Sequence, residues 1–210
     1  MQFSSRRAAL ALAFTLVSAV PAIAETADDF VKRLLARAPA IGTTYACFER
    51  VYDAAHLASH PQQNVETMTL LVKYTIAAHP DPGEAPQYEL RIGVKFRQAK
   101  RMKEVDGECS ATHPENDPNG PVAAHCGVAC DGGAIDVALK DNGAMLVTIP
   151  AGARTWTPGA DDKQDEADRE ALHGGFGTDD KLFRLDRADM RQCLVLAADR
   201  KEKAQMTRQH

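Results

Sequence analysis

Past residue 62 the sequence predicts a mainly β (α+β) domain, an antiparallel β-sandwich or small β-barrel with a short N-terminal helical region. Three observations predict it. Apolar and polar residues alternate along 68–76 and again along 88–96, the period of strands with one buried and one wet face. Asn142-Gly143 separates two further alternating runs, a strong hairpin signal. Short runs bounded by turn residues then recur as far as 197, a spacing typical of sandwiches and barrels.

Residues 1–24 read as a secretory signal. Arg6 and Arg7 supply the positive start, 8–20 form an apolar stretch too short to span a bilayer, and Ala22-Ile23-Ala24 offers the small residues a signal peptidase reads. Cleavage is expected after Ala24, and the paired arginines leave the general secretory and twin-arginine routes both open. Of 25 Lys+Arg and 29 Asp+Glu the leader holds only those two arginines, so the mature chain has 23 bases, 29 acids and a net charge of −6. That balance argues against an electrostatic nucleic-acid binder. No later run is apolar and long enough for a membrane helix. The expectation is a soluble periplasmic or secreted protein without a membrane span in its mature chain.

The elements follow in order. Thr26-Ala27-Asp28-Asp29 offers an N-cap and acids for a first turn, with Phe30, Leu34 and Ala38 at helical spacing before Pro39. A second helix is expected over 49–59, closed by Pro61, which makes 25–62 a helical segment. Strands over 68–76 and 88–96 pair across the proline-rich loop 78–86. Ile135, Val137 and Leu139, then Met145, Val147 and Ile149, flank the Asn-Gly turn, whose two central residues should take φ > 0. Weaker strand signals at 102–108, 121–130, 154–156, 181–185 and 193–197 extend the β domain over 63–198. The stretch 158–177 reads as an exposed loop, and 199–210 as a frayed charged tail.

All five cysteines, Cys47, Cys109, Cys126, Cys130 and Cys193, follow the leader, and in an oxidising compartment disulfides are expected. The run 125–130 reads as extended, which sets Cys126 and Cys130 about 13 Å apart at ~3.3 Å per residue, beyond bonding reach. The expected pairs are Cys109–Cys126 and Cys130–Cys193, with Cys47 spare, although spacing alone does not fix connectivity.

Candidate chemistry is sparse. His56 and His60 stand one helical turn apart, a spacing that can hold zinc. Leu57 occupies the place where a metalloprotease motif needs Glu, and a closed site needs a further ligand from His79, His125 or Cys47. Two histidines at a helix end is the plainer reading. Cys47 carries no catalytic-cysteine signature around it, and 115–120 lacks the distal Glu of a calcium loop, since Cys126 stands there. There is no phosphate loop, nucleophile elbow or Cys-x-x-Cys pair, so no enzyme class follows and no cofactor other than zinc is in view.

The stretches His125-Cys126-Gly127-Val128-Ala129-Cys130-Asp131-Gly132-Gly133 and Asp179-Asp180-Lys181-Leu182-Phe183-Arg184-Leu185-Asp186-Arg187, with Tyr52-Asp53-Ala54-Ala55-His56-Leu57, resemble exported bacterial proteins of unassigned function. The resemblance covers most of the mature chain and implies no activity. Within these stretches Asp131 opens a turn that needs unusual φ. Arg184 and Asp186 share one strand face, opposite Phe183 and Leu185. Arg184, Asp186 and Asp131 are therefore the candidate ligand-binding residues, against the plainer expectation of ion pairs to Arg187 or Asp136. The function expected is a non-enzymatic binding module for a protein or small molecule, at the sheet surface or a barrel mouth. The alternative is a metal-binding protein or metal-dependent enzyme centred on His56 and His60.

Overall fold

A computed structural model describes residues 25–114, 117–118, 120–129, 131–159, 163, 166–167 and 172–209. Eight strands form one antiparallel meander: β1 (Gly42–Val51), β2 (Val65–Ile76), β3 (Gln87–Phe96), β4 (Lys103–Thr112), β5 (Ala123–Val128), β6 (Ala134–Leu139), β7 (Met145–Thr148) and β8 (Leu182–Arg187). β8 pairs back onto β1, so the sheet closes into a barrel rather than a sandwich. Inward residues such as Phe48, Leu70, Ile92, Val137 and Phe183 are buried together. A barrel of eight strands is just wide enough for its side chains to fill, and here its interior is the core.

Both ends are covered. Helix α1 (Ala27–Leu35) is capped by the Thr26 hydroxyl, which accepts from the Asp29 N–H at 3.1 Å. It buries Phe30, Val31, Leu34 and Leu35 against one end. Arg187 secures its C-terminus, donating to the carbonyls of Arg33 and Leu34, both at 3.0 Å. At the other end buried Asp180 accepts from the N–H groups of Asn64 (2.7 Å), Gly177 (2.8 Å) and Val65. That ties the chain before β8 to the start of β2, and Phe176 meets Phe96 edge-on with centroids 5.3 Å apart.

Several expectations are corrected. β1 occupies 42–51, inside the segment expected to be helical, and only α2 (Ala54–Ser59) remains helical there. Tyr45, Ala46, Cys47 and Phe48 are all buried, because the outer face of β1 is covered too; a strand buried on both faces shows no alternation. Residues 193–197 are not a strand. Helix α3 (Met190–Cys193) runs into a 3-10 turn, Leu194–Leu196. The tail is not frayed either: α4 (Arg200–Arg208) begins at Asp199, whose carboxylate accepts from the Glu202 N–H at 2.7 Å. Met190, Leu196 and Met206 pack with Tyr45, Cys47 and Leu71 in a second, smaller core outside the barrel. Gly93 permits this close approach, since a Cβ there would lie 2.7 Å from Met102 Sδ and 2.9 Å from a Leu196 methyl.

Cys109–Cys126 forms as expected, at directly opposed positions of β4 and β5. Cys193 bonds Cys47 rather than Cys130, so Cys47 is not spare; the helical turn places Cys193 on the outer face of β1. Cys130 lies outside the described residues, as do residues 1–24. The β6–β7 hairpin is present, but only Gly143 takes positive φ, at 78°. Residues 154–156 contribute a single bridge, Trp156 to Glu104. No described helix is long and apolar enough to cross a membrane.

Candidate functional site

The residues singled out from the sequence come first. Tyr52, His56 and His60 stack, with successive ring centroids 4.6 and 4.5 Å apart, and His56 Nε2 lies 3.0 Å from Gln63 Oε1. Among the described residues no three His, Cys, Asp or Glu side chains are grouped to hold a metal, and Cys47, named as a reserve ligand, is in a disulfide. Arg184 bonds Asp186 at 3.0 Å, and Arg50 reaches the other oxygen of Asp186 at 3.6 Å. The partners expected for them act elsewhere: Arg187 serves α1, and Asp136 meets His125 Nδ1 at 2.7 Å. Asp131 does open a turn, at φ 56°, but β6 and β7 separate it from β8. The three ligand candidates are therefore not brought together.

A groove of about 500 Å³ does gather charged groups, along the outer faces of β3, β4 and β5. Register builds it. Glu89 stands opposite Glu108, Arg91 opposite Asp106, and Glu108 opposite Gly127 on β5. Carboxylates directly opposed across strands cost stability, and Gly127 leaves the third strand bare. Lys73 satisfies Glu89, reaching both of its oxygens at 3.0 Å. Arg91 is drawn away from β4: its Nη1 donates to Glu202 at 2.5 Å and to the Leu196 carbonyl at 2.9 Å.

Asp106 is left over. Its Oδ1 is shut off from solvent and has no hydrogen-bond partner among the described residues. Burial pushes the Asp106 carboxyl above its usual range; the Arg91 charge opposes this and Glu89 adds to it. Burial, then the charge of Asp106, likewise raises Glu104, the next outward residue on β4. Burial opposes ionisation of Glu202 as well, but hydrogen bonds from Arg91 and the Ala198 N–H hold its carboxyl below the usual value. The groove thus gathers three carboxylates, and Asp106 takes no hydrogen bond from the nearby Arg91, an arrangement suited to a cation.

Two neighbouring features offer less. Ser110, His125 and Asp136 stand level on β4, β5 and β6, yet no hydrogen bond joins Ser110 to the ring among the described residues. Their strands sit mid-sheet, with backbone N–H groups engaged in the ladder, so no oxyanion site accompanies them. A hollow of about 340 Å³ beside Phe96 is lined by Asn64 and Thr155, whose side chains already bond the carbonyls of Gly175 and Gly174.

Sequence reasoning missed the groove. Its signal was Glu104, Asp106 and Glu108, which alternate in a predicted strand and so share one face. Arg91 and Glu202 gave none, being 111 residues apart. No family model matches the chain, and no match is found among curated proteins or solved structures.

Proposed function

We propose that the protein is an exported binding module that grips a cationic group of a polypeptide partner in the groove on β3, β4 and β5. The observation that carries this reading is that Asp106, one of whose oxygens accepts no hydrogen bond among the described residues, lines the groove together with Glu89 and Glu108. A carboxylate with an unsatisfied oxygen is costly, typically by ~1–3 kcal/mol, and a lysine or arginine side chain entering the groove beside Asp106 would offset part of that cost. The leader-like residues 1–24 and two disulfides support a periplasmic or secreted setting. Kinship with the exported bacterial proteins that 125–133 and 179–187 resemble is part of the same proposal.

Calorimetric titration with a tetra-lysine peptide at low and high salt tests it. Binding should weaken at least tenfold in Asp106→Asn and decline as salt rises, as charge pairing in a partly exposed groove requires. Wild-type protein that ignores the peptide, or an Asp106→Asn variant that binds it equally well, would sink the reading.

A further inference from the structure

We infer that the C-terminal helix α4 sets the charge of the groove by holding Arg91 on Glu202 and so keeping it off Asp106. This rests on the groove reading above. Across antiparallel strands, side chains at directly opposed positions stand ~5 Å apart and pair by default, and Arg91 is directly opposite Asp106. Yet among the described residues every hydrogen bond from the Arg91 guanidinium goes to the C-terminal segment: Nη1 to Glu202 and the Leu196 carbonyl, Nη2 to Glu202 at 3.4 Å. Asp106 Oδ1 receives none. Three carboxylates surround one guanidinium: Asp106 across the ladder, Glu89 at 3.9 Å from Nη2, and Glu202, which takes its side-chain hydrogen bonds.

Glu202 is well placed to do so because its own position does not depend on Arg91. Its N–H is capped by Asp199, and its carboxylate also accepts from the Ala198 N–H at 2.6 Å. The Tyr45 hydroxyl faces both Glu202 (3.5 Å) and Gln205 (3.3 Å). Burial, then the Glu202 charge, pushes that hydroxyl up to about 12, so it remains a neutral donor. Farther along, Gln209 clasps β1, accepting from the Tyr45 N–H at 3.1 Å and donating to the Thr43 carbonyl at 2.5 Å. Cys47–Cys193 fastens the start of the segment to the same strand. The segment is thus a strap anchored at both ends, with Glu202 between the anchors.

If the strap lifts, Arg91 keeps its place on β3, and Asp106 becomes its partner across the ladder. The groove then loses a carboxylate that no cation hydrogen-bonds, and a ligand cation must compete with a tethered one. By linkage the converse holds: a cation bound in the groove favours the docked strap.

Glu202→Gln tests this, since the amide retains an acceptor for Ala198 while losing the charge that holds Arg91. Carbon-13 NMR of the Asp106 carboxyl should show its titration midpoint moving to lower pH than in wild type, and tetra-lysine affinity should fall at least tenfold. The double variant Cys47→Ala/Cys193→Ala loosens the strap without touching a charge, and should move both readouts the same way. An Asp106 midpoint that stays put in a folded Glu202→Gln protein overturns the inference, even if wild type binds the peptide. Wild type that binds no peptide, while Glu202→Gln still lowers the Asp106 midpoint, overturns the groove reading and upholds the exchange of Arg91.

Discussion

Asp106 and Glu104 are carboxyls whose burial favours the protonated form. Each binds its proton more tightly in the folded chain than in the unfolded one. Their contribution to stability is therefore greatest below the ordinary carboxylate range and declines as pH rises through the elevated folded values. Glu202 has the opposite sign: its value is lowered, so its contribution is present at neutral pH and lost on strong acidification. Asp106→Asn removes a half-buried charge whose Oδ1 accepts no hydrogen bond among the described residues, and should raise stability at pH 7 by about 1 kcal/mol, read from urea unfolding. Urea midpoints taken between pH 7 and pH 5 should rise in wild type and rise less in the variant. A variant less stable than wild type at pH 7 would show that Asp106 has a partner in the folded chain. A residue that weakens the fold while sharpening a surface is the trade expected where binding has shaped the sequence.

Among the elements, α1 contributes as a plug rather than as a free helix. Nine residues make too short a helix to persist alone, and it is held by Phe30 and Leu34, both fully buried, and by Arg187 below it. Phe30→Ala should cost about 3–5 kcal/mol, measured by chemical denaturation; a loss under 1 kcal/mol would mean that the plug is dispensable. At the opposite end, Asp180→Asn leaves a single acceptor oxygen for three N–H donors. Faster amide exchange at Asn64, Val65 and Gly177 should follow, and unchanged exchange would show that other contacts hold that end. Much of this was legible: the cap at Thr26, the alternation of β2 and β3, and the hairpin around Gly143 are local signals. β1 was not, because an outer face buried under α3 and α4 erases the period of two. Nor was α4, whose sequence looks uniformly polar because only Glu202 and Met206 of its residues are buried. The candidate site was hidden for a related reason. Arg184 and Asp186 were visible as neighbours on one strand, whereas the groove exists only once register sets Arg91 against Asp106.

At the scale of the whole molecule, the two disulfides among the described residues constrain very different lengths of chain. Cys109–Cys126 spans 17 residues and Cys47–Cys193 spans 146. Loop-closure entropy assigns the longer one about 5 kcal/mol and the shorter about 3 kcal/mol. Replacing Cys47 and Cys193 by alanine should therefore lower Tm more than replacing Cys109 and Cys126; the reverse order would show that the shorter bridge carries the strain of holding the sheet.

The junction of β1 with β8 rests on only two opposed residue pairs, Phe48 with Arg187 and Glu49 with Asp186. It is the narrowest seam in an otherwise continuous ladder. Cys47 adjoins that seam on one side, and Cys193 follows shortly after it on the other, so their bond acts as a suture. Without it the ladder pairs and the Ala188 N–H bond to the Cys47 carbonyl at 2.9 Å still close the barrel, but under denaturant the cylinder would open there first and bare two strand margins, each a template for a neighbouring copy. The longest covalent loop in the described chain thus closes beside its narrowest join.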